Sequence, residues 1–410
     1  MSIAAGQEDI DSPSDAAASA ASFQDARPPT VSPEALRTRI LQSLVDQGFE
    51  VRADGTIVAP DGRDKHRLRM LHRSAVTSSR CRAERSLRRH EDWILRRFAK
   101  GLDIDPEAIQ PELRLVTSGS SDELLFRYAR LHWSIPVSAG YGRRLRFLVV
   151  DRQNNCLIGI IGLGDPVIRL GARDQWVGWD RDSLHQRLRH VMDAFVLGAV
   201  PPYNDLLCGK LVAMLAASTE VRTAFKERYS GSASLISGRP FNGELALITT
   251  LSALGRSSMY NRLGLPGGPR FISAGETLGS GEFQFSNGVY AELLEYARQH
   301  GSPSAKNSAW GVGFRNRREV VRTALKLLDL NPDLMYHGVR RSVYCVPLAS
   351  NTREFLRGEQ DTLDFWTRNA EEITGWFRDR WLLPRAARIT RWRDFDPESL
   401  RLWPSEGERS

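Results

Sequence analysis

The sequence of 410 residues has no uninterrupted apolar run approaching the roughly 18 residues that mark a membrane-spanning helix. It has only four cysteines, Cys81, Cys156, Cys208 and Cys345, and no two of them form a Cys-x-x-Cys pair. A disulfide framework or a zinc knuckle is therefore not expected, and a reducing cytoplasm fits. The eight histidines include no His-Glu-x-x-His, so no metal site is expected. There is no Gly-x-Ser-x-Gly elbow, no Walker-type loop ending in Lys-Ser/Thr and no DNA-deaminase signature. Those absences argue against esterase, P-loop helicase and base-deaminase chemistry. Residues 1–33 lack the basic-then-apolar pattern of a secretory leader.

What the chain does have is unevenly placed charge. Its net charge is +8. Residues 1–33 hold five acids and one base among Ala, Ser and Pro, too few apolar groups to offset ordering entropy, so they read as a disordered acidic tail. Residues 63–100 hold thirteen Lys/Arg against four Asp/Glu, a surplus of nine in 38 residues. A cluster this dense points to a polyanion, nucleic acid first. Over residues 80–100, Ala83, Leu87, His90, Ile94 and Phe98 recur at helical spacing, and the arginines fall largely elsewhere. Arg82, Arg85, Arg88, Arg89 and Arg96 are the candidate phosphate contacts, because a planar guanidinium matches phosphate geometry. The alternative is a solvated charged face on a core-packing helix.

Residues 34–47 read as a helix opened by Ser32-Pro33, and Asp54-Gly55 between short apolar runs reads as a hairpin. From residue 112 the expected order is strand (113–116), helix (121–132), hairpin (144–150 and 156–162), short helix (184–191), strand (194–200), long helix from Asn204 or Asp205 to about 229, strand (245–252), short helix (257–263) and a closing pair (270–274 and 282–285). Helices over 289–300 and 317–328 follow, then a strand-like run over 338–347 and a Trp- and Arg-rich end. The expected segments are the tail 1–33, an N-terminal module 34–105, a core 106–300 and a helical extension 301–410.

This order, with Phe147-Leu148-Val149-Val150-Asp151 returning through Leu157-Ile158-Gly159-Ile160-Ile161-Gly162, resembles the GNAT acyltransferase superfamily. The resemblance implies an α+β fold with a mixed sheet and flanking helices. It places Tyr203, Asn204, Cys208, Gly209 and Lys210 where that superfamily cradles a cofactor pyrophosphate at a helix N-terminus. The segment departs from the usual pattern: one glycine remains, the early basic residue is missing, and Asp205 would repel a diphosphate. No cofactor is named by the sequence. Longer strings, Ile161-Gly162-Leu163-Gly164-Asp165-Pro166-Val167, Val177-Gly178-Trp179-Asp180, His190-Val191-Met192-Asp193-Ala194, the run from Leu197 to Leu211 and Asn351-Thr352-Arg353-Glu354-Phe355-Leu356, resemble the Druantia DruA anti-phage family over most of residues 60–360. That resemblance implies a role in phage defence beside other proteins of one system, and supplies no mechanism.

Two residues are candidates for chemistry. Asp165, at the exit of an apolar strand, suits a general base or a group that orients one. It also suits a turn that bonds backbone amides. Tyr260 occupies the place where the GNAT resemblance implies a general acid, and otherwise is a core aromatic. Tyr203 suits stacking on a base or an adenine ring, and Asn204 suits a helix N-cap. Three functions stay open: a defence component acting on or with nucleic acid, a non-catalytic interaction subunit, and an acyltransferase on a small molecule or protein.

Overall fold

The computed structural model describes residues 32–138, 140, 142–232, 240–302 and 314–404. The acidic tail, up to residue 31, lies outside them. The chain divides into two units: one from 1–59 and 280–337, the other from 60–279 and 338–410. This division follows different boundaries from the four expected segments.

The first unit opens with α1 (Pro33–Gln47). The Ser32 hydroxyl caps it by accepting from the Ala35 amide at 3.2 Å, and Gly48 ends it in the left-handed region at φ 101°. The hairpin β1 (Glu50–Val51) and β2 (Ile57–Val58) follows around Asp54-Gly55, as expected. Leu36, Ile40, Leu44, Phe49 and Ile57 form the buried side of this part.

The second unit begins with α2 (Lys65–Leu87) and α3 (Glu91–Leu95). Its sheet is laid down by β3 (Pro111–Leu115), then α4 (Ser121–Ala129), then the hairpin β4 (Arg144–Asp151) and β5 (Cys156–Gly164). Helices α5 (Gly171–Val177) and α6 (Arg181–Arg187) lead to β6 (Val191–Ala199). Helices α7 (Cys208–Leu215) and α8 (Thr219–Tyr229) then cross to β7 (Leu247–Leu251), and β8 (Ile272–Glu276) follows. The chain returns to the first unit for α9 (Val289–His300) and α10 (Phe314–Leu327), which pack on each other, with Leu293, Ala297, Val320, Val321 and Ala324 buried. It re-enters the sheet as β9 (Ser342–Pro347), and α11 (Thr352–Arg357) and α12 (Ala370–Phe377) complete the second unit.

The seven strands run in the order β3-β4-β5-β6-β7-β9-β8. Every pair is antiparallel except β6 with β7, which are parallel over Val191–Leu247 to Ala194–Thr250. One face of the sheet is covered by α7, α8 and the C-terminal segment, including Ile373, Phe377 and the buried Trp392. On the other, α3, α4 and Trp403 cover one part, and α5, α6 and α11 form a separate cluster with Val177, Leu184 and Phe355. No helix among the described residues is long and apolar enough to cross a membrane.

Four sequence expectations are corrected. The helix expected over 80–100 starts at Lys65 and ends at Leu87, followed by a 3-10 turn, Arg88–His90, and α3. At the start of α3 the Glu91 side chain turns inward, where its carboxylate accepts from the Tyr128 hydroxyl and the Leu402 amide, both at 2.7 Å. The long helix expected from 204 is two helices, because Ser218, the one polar residue on its apolar face, is the N-cap of α8. Residues 257–263 form hydrogen-bonded turns rather than a helix. The partner of β8 is β9, some seventy residues later, and not 282–285; Phe283–Phe285 is a 3-10 turn within the first unit, held where Gln284 donates to the Leu334 carbonyl at 2.9 Å.

The β5–β6–α7 contact depends on a missing side chain. A Cβ on Gly159 would lie 2.3 Å from the Gly198 carbonyl oxygen and 2.7 Å from Val212. Backbone cannot yield as a flexible side chain does. Gly159→Ala is therefore expected to lower stability by about 1–3 kcal/mol in urea denaturation, and a variant as stable as the parent would contradict this packing.

Candidate functional site

The Asp64 carboxylate starts α2 by accepting from the His66 and Arg67 amides at 3.1 and 3.0 Å. Leu68, Leu71, His72, Ala75 and Leu87 bury one side of the helix. On the other, His66, Arg69, Arg73, Thr77, Cys81 and Arg85 recur in steps of three and four, and all are exposed. From Arg69 to Arg85 this stripe extends about 24 Å at the α-helical rise. Arg82, also exposed, reaches back to the Ser78 and Ser79 hydroxyls at 2.7 and 3.2 Å. Arg88 is half-buried and tied to Glu84 at 2.9 Å and the Pro404 carbonyl at 2.6 Å. Arg89 donates to His90 at 3.0 Å, and Arg96 is exposed just past α3. An open depression of about 390 Å³ is lined by Cys81, Glu84, Arg85, Arg88 and Arg89. Arg69 and Arg73 were missed in the sequence, although the four-residue step that links them to Arg85 is visible there.

The turn between β6 and α7 closes on itself. The amides of Asn204, Asp205, Leu206, Leu207 and Cys208 bond carbonyls of the same turn at 3.0–3.1 Å, and the Lys210 amide bonds Leu207 at 2.9 Å. A pyrophosphate cradle needs such amides free. Asn204 is exposed and caps nothing, since the turn runs on to Leu207, which precedes α7 at φ 63° without a side-chain cap. Tyr203 is fully buried, and its hydroxyl donates to Asp151 at 2.9 Å and accepts from Asn154 at 3.0 Å, so its ring is not offered to a base. Burial pushes the Cys208 thiol pKa up. A Cβ on Gly209 would lie 2.9 Å from the Met259 sulfur. The Lys210 ammonium donates to the Met259 carbonyl at 3.1 Å and sits 5.3 Å over the Trp381 ring. Asp205 is paired with Arg391.

The structure thus brings Gly209 and Lys210 against the turn that carries Tyr260. Tyr260 is buried, stacked on Phe271 with centroids 5.1 Å apart and edge-on to Tyr344, and burial raises its phenol pKa. It sits as a core aromatic. Asp165 lies elsewhere, fixed by the Arg143 side chain at 2.7 Å and the Arg143 amide at 3.0 Å. Arg143 also donates to the Arg189 carbonyl at 2.8 Å and lies 5.3–5.6 Å from the rings of Phe225, Tyr229 and Phe241.

Sequence reasoning passed over Asp193 as a site residue. It stands opposite Thr249 in the parallel pair, accepts from the Thr249 hydroxyl and accepts from the Val167 amide at 3.1 Å. Burial pushes its carboxyl up to about 7, against the pull of Arg173. The available signal was a lone acid within an apolar strand. Among the described residues no three His, Cys, Asp or Glu side chains are placed to hold a metal ion.

The family model described as Druantia protein DruA matches residues 62–358. The chain belongs to the DruA family. It is 38% identical over 371 residues to the Druantia protein DruA of Escherichia coli (strain UMEA 4076-1), covering 90% of this chain and 89% of that protein. No solved structure matches. Within the stretch matched by the DruA model lie the whole α2 stripe, Arg96, Asp165, Asp193, the closed turn and Tyr260.

Proposed function

We propose that this DruA-family chain is a component of a bacterial anti-phage defence system that works on or with nucleic acid, docked through α2, beside other proteins of that system. The observation that carries this is the exposed arginine stripe, Arg69, Arg73 and Arg85 with Arg82 and Arg89 alongside, in the segment with a surplus of nine positive charges. A helix so charged, with its apolar side already buried, has a face suited to phosphates rather than to a protein core. The strand order, the single parallel pair β6–β7 and the helices between them support a GNAT-like scaffold for the core. The closed turn at 204–208 argues against an ordinary acyl-CoA pocket there. The same turn, the ion-paired Asp165 and the buried Tyr260 favour the second reading, a binding subunit without catalysis of its own.

The test is the salt dependence of duplex DNA binding. Arg82, Arg85 and Arg89 changed together to Glu are expected to reduce the slope of log K against log salt by about three, roughly 0.9 per phosphate contact. An unchanged slope overturns docking through α2.

A further inference from the structure

A second surface of the sheet unit combines aromatic rings with cations and shares no residue with α2. After α12 the chain makes a π-turn, Arg378–Leu382, a feature that recurs at functional sites. The turn sets Trp381 edge-on to Trp376, with centroids 4.7 Å apart. The exposed Arg380 guanidinium lies 5.5 and 5.4 Å from the two rings. From α7, the Lys210 ammonium faces Trp381 at 5.3 Å. Lys210 uses one donor, to the Met259 carbonyl, of the three an ammonium has. Burial lowers its pKa, and no acidic neighbour offsets that among the described residues. Half-buried indoles beside an exposed planar guanidinium and an ammonium with donors to spare give π-faces for a base and charge for a phosphate.

We propose that Trp376, Arg380, Trp381 and Lys210 form a platform for a nucleotide, with the base against the indole–guanidinium surface and the phosphate on Lys210, and that single-stranded nucleic acid supplies it. This deepens the nucleic-acid reading and rests on it. Bases in a duplex are stacked on one another, whereas an unpaired strand presents their faces. A free nucleotide has the same chemistry, so the test must separate the two sources.

Fluorescence anisotropy on the full chain would use labelled oligothymidylate and a labelled duplex, with AMP as competitor. Arg380→Glu and Lys210→Gln are each expected to weaken oligothymidylate binding about tenfold, the scale of one stacked base, and to leave duplex binding unchanged. Arg380 is exposed, so its variant reads binding without disturbing a core. Oligothymidylate affinity unchanged in both variants overturns the platform. AMP binding that both variants abolish, with oligothymidylate affinity unchanged, assigns the surface to free nucleotides and overturns the single-strand source. Failure of the α2 variants to alter duplex binding strikes the docking reading alone, because the platform is read on the single strand.

Discussion

Replacing Arg173 with Met is expected to cost about 3–5 kcal/mol of folding free energy in urea denaturation. Arg173, a residue of α5, is wholly buried. Its guanidinium bonds Asp174 at 2.8 and 2.9 Å and the carbonyls of Val167 and Ile168 at 2.9 and 3.1 Å, and it lies 5.4 Å from the Trp179 ring. Burial raises the pKa values of Asp193 and Cys345, and the Arg173 charge opposes that rise. A methionine fills the volume but leaves two carbonyls and Oδ1 of Asp174 without their donor, while the Leu170 amide still bonds Oδ2. Breaking a buried pair on one side is the costly case, and removing both partners is milder. The double variant Arg173→Met with Asp174→Asn should therefore recover part of the loss. A single variant within about 1 kcal/mol of the parent would show that the cluster does not hold the β5–α5 loop.

Arg173 also shows where the sequence stops being legible. Neighbouring opposite charges such as Arg173-Asp174 usually face water. Only the tertiary fold reveals that this pair sits on the inward side of α5. Local signals did better where the cause is local. Ser32-Pro33 and Asp54-Gly55 set a cap and a turn within a few residues, and both formed. The β4–β5 hairpin was legible because its strands are apolar and its turn is polar. The β8–β9 pairing was not, because the insertion between them forms part of another unit and no periodicity reports it.

The candidate site divides in the same way. On α2 the local charge surplus pointed to Arg85, whereas Arg69 and Arg73, on the same exposed stripe, were passed over although steps of four link them to it. Tyr203 and Tyr260 looked available only as residue types. The Tyr203 hydroxyl is engaged by Asp151 and Asn154 and the Tyr260 ring by Phe271 and Tyr344, and of these only Phe271 is within a dozen residues of its partner. Lys210 had only a lone glycine beside it as a signal, and its neighbour Trp381 lies in the C-terminal segment whose aromatics read as composition alone.

Stability is expected to rise steeply between about pH 4 and 6 and to fall slightly on approach to pH 7. His132 and His190 set the rise. Burial pulls both down to about 4, from the ordinary 6.5. His132 lies 5.1 Å from Tyr128 and 6.4 Å from Phe98, with the Arg80 charge nearby. His190 lies between Phe241 and Phe355, with Arg143, Arg187 and Arg189 adding positive charge and Nδ1 held 2.8 Å from the Glu244 carbonyl. In this window the unfolded chain binds more protons, so stability grows with pH, by about 3 kcal/mol for each histidine. Asp193 runs the other way. Burial pushes its folded carboxyl up to about 7 from the ordinary 3.8, so the folded chain keeps a proton that the unfolded chain has released, and stability falls as pH rises through that interval. Two histidines outweigh one carboxyl below about 6.5, and above it only the carboxyl acts. His190→Gln, whose amide still donates to Glu244, should flatten the acid limb, and Asp193→Asn should remove the decline toward pH 7. Urea midpoints from pH 4 to 8 that follow the parent profile in both variants would show that neither group titrates as its surroundings require.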